Sequence, residues 1–143
     1  MATTRHAHTV WEGNLTEGTG TVTLDSSGIG SYPVSWPARA EEPNGMTSPE
    51  ELIAAAHSSC FSMALSGALT RGGNPPARLT TKADVTFQPG TGITGIHLTV
   101  EGEVPGMDEA SFTKAAEDAK VNCPVSQALT GTTITLTASL TAS

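Results

Sequence analysis

Alternating polar and apolar residues open the chain. Residues 6–12 (HAHTVWE) and 18–28 (GTGTVTLDSSG) alternate with β-favouring side chains on either side of a turn at Gly13-Asn14. This pattern predicts a β-hairpin. A third extended segment, residues 31–43 (SYPVSWPARAEEP), contains three prolines. Because proline cannot donate a hydrogen bond to a neighbouring strand, this segment is expected to be an edge strand or a surface loop.

The strongest helix signal follows. Ser48 is a good N-cap, Pro49 suits the first helical position, and Glu51 completes a capping box with Ser48. Residues 51–70 (ELIAAAHSSCFSMALSGALT) are apolar or small all round, and residues 72–76 (GGNPP) end the helix. A helix without a polar face is expected to lie at the centre of the fold rather than on its surface.

The second half of the chain alternates again and then returns to helical spacing. It reads as two longer strands joined by a tight turn, an amphipathic helix, a short helix and a closing strand, at residues 77–88, 92–104, 108–120, 124–131 and 132–140. The order is therefore β-β-β-α-β-β-α-α-β, without an internal repeat or a separable linker. We expect a single α+β domain over residues 1–143, with a mixed sheet and its helices on one side.

Composition narrows the classes of function. The net charge is −7, and the seven basic residues are spread along the chain, which argues against nucleic acid or an anionic membrane as partner. We expect no run of apolar residues to reach the roughly 20 that a membrane span needs. The first residues do not resemble a signal peptide. The cytoplasm is the expected location. Abundant small residues favour close packing or help from a partner chain.

The chain contains two cysteines, and their surroundings differ. Cys60 lies in the middle of the apolar helix, three residues after His57, where a thiol is often only a small buried hydrophobe. Cys123 immediately precedes Pro124, which opens a helix, and helix N-termini lower thiol pKa values. In a reducing compartment, such cysteines are more often reactive, metal-binding or simply buried than bridged permanently.

The residues alone leave three interpretations of the two cysteines open: small buried hydrophobic residues, metal ligands or a redox pair. A zinc site would need about four ligands, and only His57, Cys60 and Cys123 have a plausible arrangement. His57 otherwise is a helix histidine that hydrogen-bonds locally. For redox chemistry two thiols suffice, because one can become a sulfenic acid and the other can condense with it to a disulfide.

A thiolate in an apolar wall needs a fixed positive charge nearby, because desolvation raises a thiol pKa. Arg39, in a proline-bracketed segment before the helix, is the candidate, and Glu50 is the candidate carboxylate that orients it. Glu50 and Cys60 are separated by ten positions, about 15 Å along a helix. Either Arg39 spans much of this gap, or the relevant Glu50 comes from a second chain.

The segments SPEELIAAAHSSCFSMAL, NCPVSQAL and ARAEEPNGMTSPEEL together resemble the OsmC subfamily of the OsmC/Ohr family of osmotically inducible proteins and organic hydroperoxide reductases. This resemblance covers nearly the whole chain. It implies a thiol-dependent peroxidase in which Cys60 is the peroxidatic cysteine and Cys123 the resolving cysteine. By the same resemblance, Arg39 holds the thiolate and Glu50 orients Arg39.

The family resemblance also implies an intertwined homodimer in which sheets wrap around long central helices. It implies organic hydroperoxides as the main substrates, hydrogen peroxide as a weaker one, and a role in the stress response. No cofactor or metal is implied, since an external dithiol or a lipoylated protein would reduce the disulfide. The alternative that we carry forward is a non-catalytic thiol redox sensor or a dimeric binding module. The apolar neighbours Phe61, Met63 and Leu65, with Trp36 or Tyr32 from the proline-containing segment, would line a pocket for alkyl chains. For Phe61 and Met63, a position in the core is the default expectation.

Overall fold

A computed structural model describes residues 1–141 of the chain. The chain forms two compact units, one ending at Leu52 and the other beginning at Ile53, so the boundary falls within the longest helix. The secondary-structure elements are β1 (His8–Glu12), β2 (Thr19–Thr23), β3 (Ser31–Val34), α1 (Trp36–Ala40), α2 (Pro49–Arg71), β4 (Arg78–Gln88), β5 (Gly92–Glu103), α3 (Glu109–Asn122), α4 (Pro124–Ala128) and β6 (Ile134–Leu140).

The first unit contains a three-stranded antiparallel sheet in the order β1-β2-β3. The proline-containing segment is an edge strand, as expected, but it continues into α1, a short helix that the pattern did not predict. Ser35 caps this helix by accepting a hydrogen bond from the Ala38 backbone N–H at 3.2 Å, and Pro37 lies in its first turn. Proline there is preorganised for a helix, so this proline starts a helix rather than ending a strand.

Helix α2 begins at Pro49, directly after the predicted N-cap Ser48. The Glu51 backbone N–H donates to Ser48 Oγ at 3.1 Å. The reciprocal half of the capping box is different, because the Glu51 carboxylate accepts a 2.6 Å hydrogen bond from the Thr47 hydroxyl. Two neighbouring hydroxyls therefore hold the first turn of the helix.

The second unit contains a mixed three-stranded sheet in the order β4-β5-β6. Strands β4 and β5 form an antiparallel hairpin, and β6 is parallel to β5. The hairpin turn uses Gly90 and Gly92 at φ 84° and 115°, values that favour glycine. Two separate three-stranded sheets thus replace the one mixed sheet that we expected. The α+β class is confirmed.

The hydrophobic core of the second unit lies between one stripe of α2, the inner face of β5 and helix α3. Its fully or nearly fully buried members are Phe61, Leu65, Leu69, Ile96, Leu98, Val100, Val104, Phe112, Ala116, Ala119 and Cys123. Gly102 gives room for the Phe112 ring, because an added Cβ there would lie 2.6 Å from it. Burial of this apolar area is the main favourable contribution to the stability of the unit.

Outside its buried stripe, α2 is partly half-buried and partly exposed in the single chain. Met63 is 74% exposed, although a core position was expected for it, and Ala55 and Ala56 are exposed as well. Within residues 1–141, α2 is also the one helix that is long and apolar enough to cross a membrane by length and composition. This corrects the expectation that no run reaches that length. Core helices of proteins in water meet the same criterion, so the property alone is weak evidence.

Candidate active site

The two thiols lie side by side in the second unit. Cys60 is in the middle of α2, and Cys123 is the residue at which α3 ends and α4 begins. The Cys123 thiol donates a hydrogen bond to Cys60 Sγ, with the sulfur atoms 3.0 Å apart and the residues 63 positions apart in sequence. Both cysteines are free thiols. Only a small movement would bring the sulfurs to the length of a disulfide bond, about 2.05 Å.

Burial and the neighbouring thiol act together on Cys60. Burial is the largest cause that raises the pKa of the Cys60 thiol from its ordinary value, and the contact with Cys123 raises it further. A hydrogen bond with the Val125 backbone, in the first turn of α4, lowers the pKa and offsets part of this rise. Within the second unit, therefore, the balance favours the neutral thiol of Cys60 over the thiolate.

The arginine and glutamate predicted from the sequence are paired in the first unit. Arg39 Nε donates to both Glu50 carboxylate oxygens at 3.0 and 3.1 Å, and Nη2 donates to Oε2 at 2.8 Å. The Glu50 side chain is 8% exposed and the Arg39 side chain 31% exposed. This bidentate geometry fixes the plane of the guanidinium more firmly than a single contact would. The pair forms within one chain.

An apolar cleft of about 560 Å³ lies beside this ion pair in the first unit. Its lining residues are Thr9, Trp11, Leu15, Val22, Val34, Ser35, Trp36, Arg39, Pro49 and Leu52. Trp36 lines this cleft and Tyr32 does not, and the alkyl pocket itself stays a prediction. Phe61 and Leu65 are fully buried in the core of the second unit instead.

His57 makes a contact that sequence reasoning missed. The residue is fully buried, and its Nε2 lies 2.7 Å from Ser126 Oγ, a partner 69 positions away on α4. The expectation of a local hydrogen bond was wrong, because His57 belongs to the buried i, i+4 stripe that continues with Phe61 and Leu65. That spacing was the available signal, since it directs the imidazole into the core rather than along the helix surface.

The electrostatics of His57 follow from its burial. Desolvation lowers the pKa of the imidazole from its ordinary value of 6.5, so the neutral ring is favoured. Its Nδ1 is buried and has no hydrogen-bond partner within the described part of the chain. Across residues 1–141, no group of three or more histidine, cysteine or acidic side chains is placed to hold a metal ion.

Comparison with known proteins identifies the family. The family model described as OsmC-like protein matches residues 42–138. Peroxiredoxin OsmC of Escherichia coli (strain K12) is 44% identical over 122 residues, which are 83% of this chain and 85% of that protein. The chain belongs to the OsmC-like protein family, and the resemblance recognised in the sequence is confirmed.

Solved structures agree on the fold. Organic hydroperoxide resistance protein OhrB of Bacillus subtilis superposes with a TM-score of 0.73 at 22% identity, covering 93% of this chain and 97% of that one. An OsmC-like protein from Mycoplasma pneumoniae gives a TM-score of 0.75 at 15% identity, covering 99% and 100%. At this level of identity the likeness establishes the OsmC-like fold that we expected.

Proposed function

We propose that this chain is a thiol-dependent peroxidase that reduces organic hydroperoxides, and hydrogen peroxide more weakly. The observation that carries the proposal is the contact between the Cys60 and Cys123 sulfurs at 3.0 Å. The name of the Escherichia coli relative, Peroxiredoxin OsmC, and the name of the Bacillus subtilis protein, which is an organic hydroperoxide resistance protein, support the same chemistry.

The proposed reaction begins with ionised Cys60. Its sulfur attacks the distal peroxide oxygen, the O–O bond breaks, and the leaving alkoxide takes a proton to become an alcohol. Cys60 is now a sulfenic acid, oxidised by two electrons. The Cys123 sulfur then attacks the Cys60 sulfur, a disulfide forms, and the hydroxyl leaves as water. An external dithiol or a lipoylated protein returns both cysteines to thiols and is itself oxidised to a disulfide.

Ionisation of Cys60 needs a contribution beyond its own surroundings, because burial raises its pKa. We assign this contribution to Arg39, whose guanidinium cannot lose its charge and whose plane Glu50 fixes. The same cation would stabilise the charge that develops on the peroxide oxygens in the transition state. The apolar cleft beside Arg39 would accommodate the alkyl part of a hydroperoxide.

The proposal includes a homodimer in the cytoplasm. The exposed small and apolar side chains of α2, including Met63, Ala55 and Ala56, leave a helix face that a second copy of the helix would cover. Free thiols that cycle through a disulfide fit a reducing compartment, where permanent bridges are rare. A role in the stress response follows from peroxide removal.

A slow thiol sensor is the second candidate, because the raised pKa of Cys60 would reduce its reactivity toward peroxide. Steady-state consumption of cumene hydroperoxide and hydrogen peroxide, with dithiothreitol as the reductant, distinguishes the peroxidase from the sensor. A peroxidase is expected to turn over many times, and a sensor is oxidised once. Cys60→Ser should abolish consumption, whereas Cys123→Ser should complete one oxidation and accumulate a sulfenic acid that dimedone traps. Full turnover by Cys60→Ser would refute the proposal.

A further inference from the structure

The short helix α4 has little stability of its own. It has five residues, and Cys123 at its N-cap makes no side-chain capping hydrogen bond. Isolated helices of this length do not form in water, so its position depends on tertiary contacts. Val125 and Leu129 pack against the core, but such apolar contacts are non-directional. Ser126 adds a directional side-chain contact, its hydrogen bond to His57.

This contact joins the two segments that carry the sulfurs. His57 precedes Cys60 by three residues on α2, and Ser126 follows Cys123 by three residues in α4. Three residues are about one helical turn. In each segment, the residue that makes the hydrogen bond is therefore about one turn away from a reacting cysteine. Ser126 is 4% exposed and His57 is fully buried, which makes the contact costly to lose.

The backbone at Cys123 shows why a second anchor is needed. Its backbone N–H still bonds to Ala119 at 2.9 Å, as the last turn of α3 requires, but its ψ of 126° departs from a helix. The chain therefore changes direction at Cys123 instead of continuing along the axis of α3. The new direction depends on the contacts that hold α4 in place.

We propose that His57 and Ser126 are positioning residues for the resolving step: their hydrogen bond holds α4 against α2 and so keeps Cys123 Sγ at Cys60. This inference rests on the proposed cysteine cycle, and it adds to that cycle a pair of residues that contact neither the peroxide nor the exchanging sulfurs. Loss of the hydrogen bond should slow disulfide formation and leave the attack on peroxide by Cys60 largely unchanged.

The first test measures the thiol pair without peroxide. In glutathione buffers, two protein thiols and one oxidised glutathione exchange for one protein disulfide and two reduced glutathiones. Ser126→Ala should lower this equilibrium constant about tenfold, the effect expected for one lost buried hydrogen bond. Ser126→Thr keeps the hydroxyl and should restore most of the constant. An unchanged constant in Ser126→Ala would overturn the proposal.

A matched control removes a similar hydrogen bond elsewhere on α2. Ser62 Oγ donates to Thr81 Oγ1 at 2.7 Å and links α2 to β4 rather than to α4. Thr81→Val should leave the glutathione equilibrium unchanged even if it destabilises the fold as much as Ser126→Ala does. Equal losses of the constant in both variants would mean that the His57–Ser126 contact is merely structural.

A second variant guards against misfolding. Ser126→Ala alone leaves Nε2 of His57 unpaired in the core in addition to Nδ1, whereas His57→Leu with Ser126→Ala removes both polar partners. The double variant should fold and show the same tenfold loss, and a wild-type constant in it would refute the positioning role.

The peroxide arm then separates the two proposals. With cumene hydroperoxide, Ser126→Ala should oxidise Cys60 at the wild-type rate and accumulate more dimedone-trapped sulfenic acid. If wild type consumes no hydroperoxide while Ser126→Ala still lowers the glutathione constant, the peroxidase proposal fails and the positioning role stands. If wild type turns over and Ser126→Ala resolves at the same rate, the positioning role fails.

Discussion

The two units of the chain each contain one half of the proposed chemistry, in opposite environments. The second unit holds the nucleophile, Cys60, beside an apolar core that raises its pKa. The first unit holds the cation, Arg39, in a bidentate ion pair with Glu50 beside an apolar cleft. The proposed nucleophile therefore has a second thiol nearby but an unfavourable ionisation, while the cation has a fixed orientation but no reactive group in its own unit.

This difference explains why neither motif is sufficient as a description of activity. A pair of close thiols fits a sensor as well as an enzyme, and a partly buried arginine–glutamate pair can be a purely structural feature. The peroxidase mechanism requires that the guanidinium of one unit, from the same or the partner chain, lowers the pKa of the thiol in the other. The following predictions test how strongly the two units differ and how strongly they depend on each other.

The largest expected effect concerns the two cores. Phe61→Ala should lower the free energy of unfolding by about 3–5 kcal/mol, because the fully buried ring contacts the large core of the second unit. Val22→Ala, a smaller truncation in the first unit, should cost about 1.5 kcal/mol. Urea unfolding at one fixed protein concentration measures both. Equal losses would contradict the assignment of the main core to the second unit.

Removal of the cation should give the next largest effect. Arg39→Met should slow the reaction with cumene hydroperoxide about 100-fold, equivalent to about 2.7 kcal/mol, because the Cys60 thiolate loses its counter-charge. The pH profile of Cys60 alkylation by iodoacetamide should shift to higher pH. Arg78→Met removes an exposed arginine from β4 and is the control. A wild-type alkylation profile in Arg39→Met would show that Arg39 does not affect the pKa of Cys60.

Loss of the orienting carboxylate should have a smaller effect. Glu50→Gln keeps the shape of the side chain but turns an amide N–H₂ toward guanidinium donors, so Arg39 loses its fixed plane. We expect about a tenfold lower rate with hydroperoxide, or about 1.4 kcal/mol. Glu51→Gln, at the exposed adjacent position, should retain the wild-type rate. If both variants react equally fast, Glu50 serves stability and not the thiol.

The smallest expected effect is a pH dependence of stability. Burial lowers the pKa of His57 in the folded chain below its ordinary 6.5, so the unfolded chain binds this proton first as the pH falls. The free energy of unfolding should therefore decrease below about pH 6.5 and stay level above it. His57→Gln cannot titrate and can still hydrogen-bond to Ser126, so the part of the decrease that is due to His57 should disappear. Urea unfolding between pH 5 and 8 measures the difference.

Local patterns and motifs were sufficient to predict most elements, while the roles of the four site residues stay predictions. The cap at Ser48 and the alternation of β4 and β5 are local properties, which is why they could be recognised without a fold. The short helix α1 was missed because the prolines around it suit an edge strand and a first helical turn equally well. Which one forms depends on the capping contact of Ser35.

The sequence by itself therefore determined the α+β class, the long helix and the identity of the residues that can do thiol chemistry. The tertiary structure alone decided that the Cys60 and Cys123 sulfurs lie 3.0 Å apart, that Arg39 meets the Glu50 of its own chain, and that His57 reaches Ser126. These contacts join residues that are 63, 11 and 69 positions apart. Hydrophobic periodicity reports which face of an element is buried, but it carries no information about which distant side chain that face will meet.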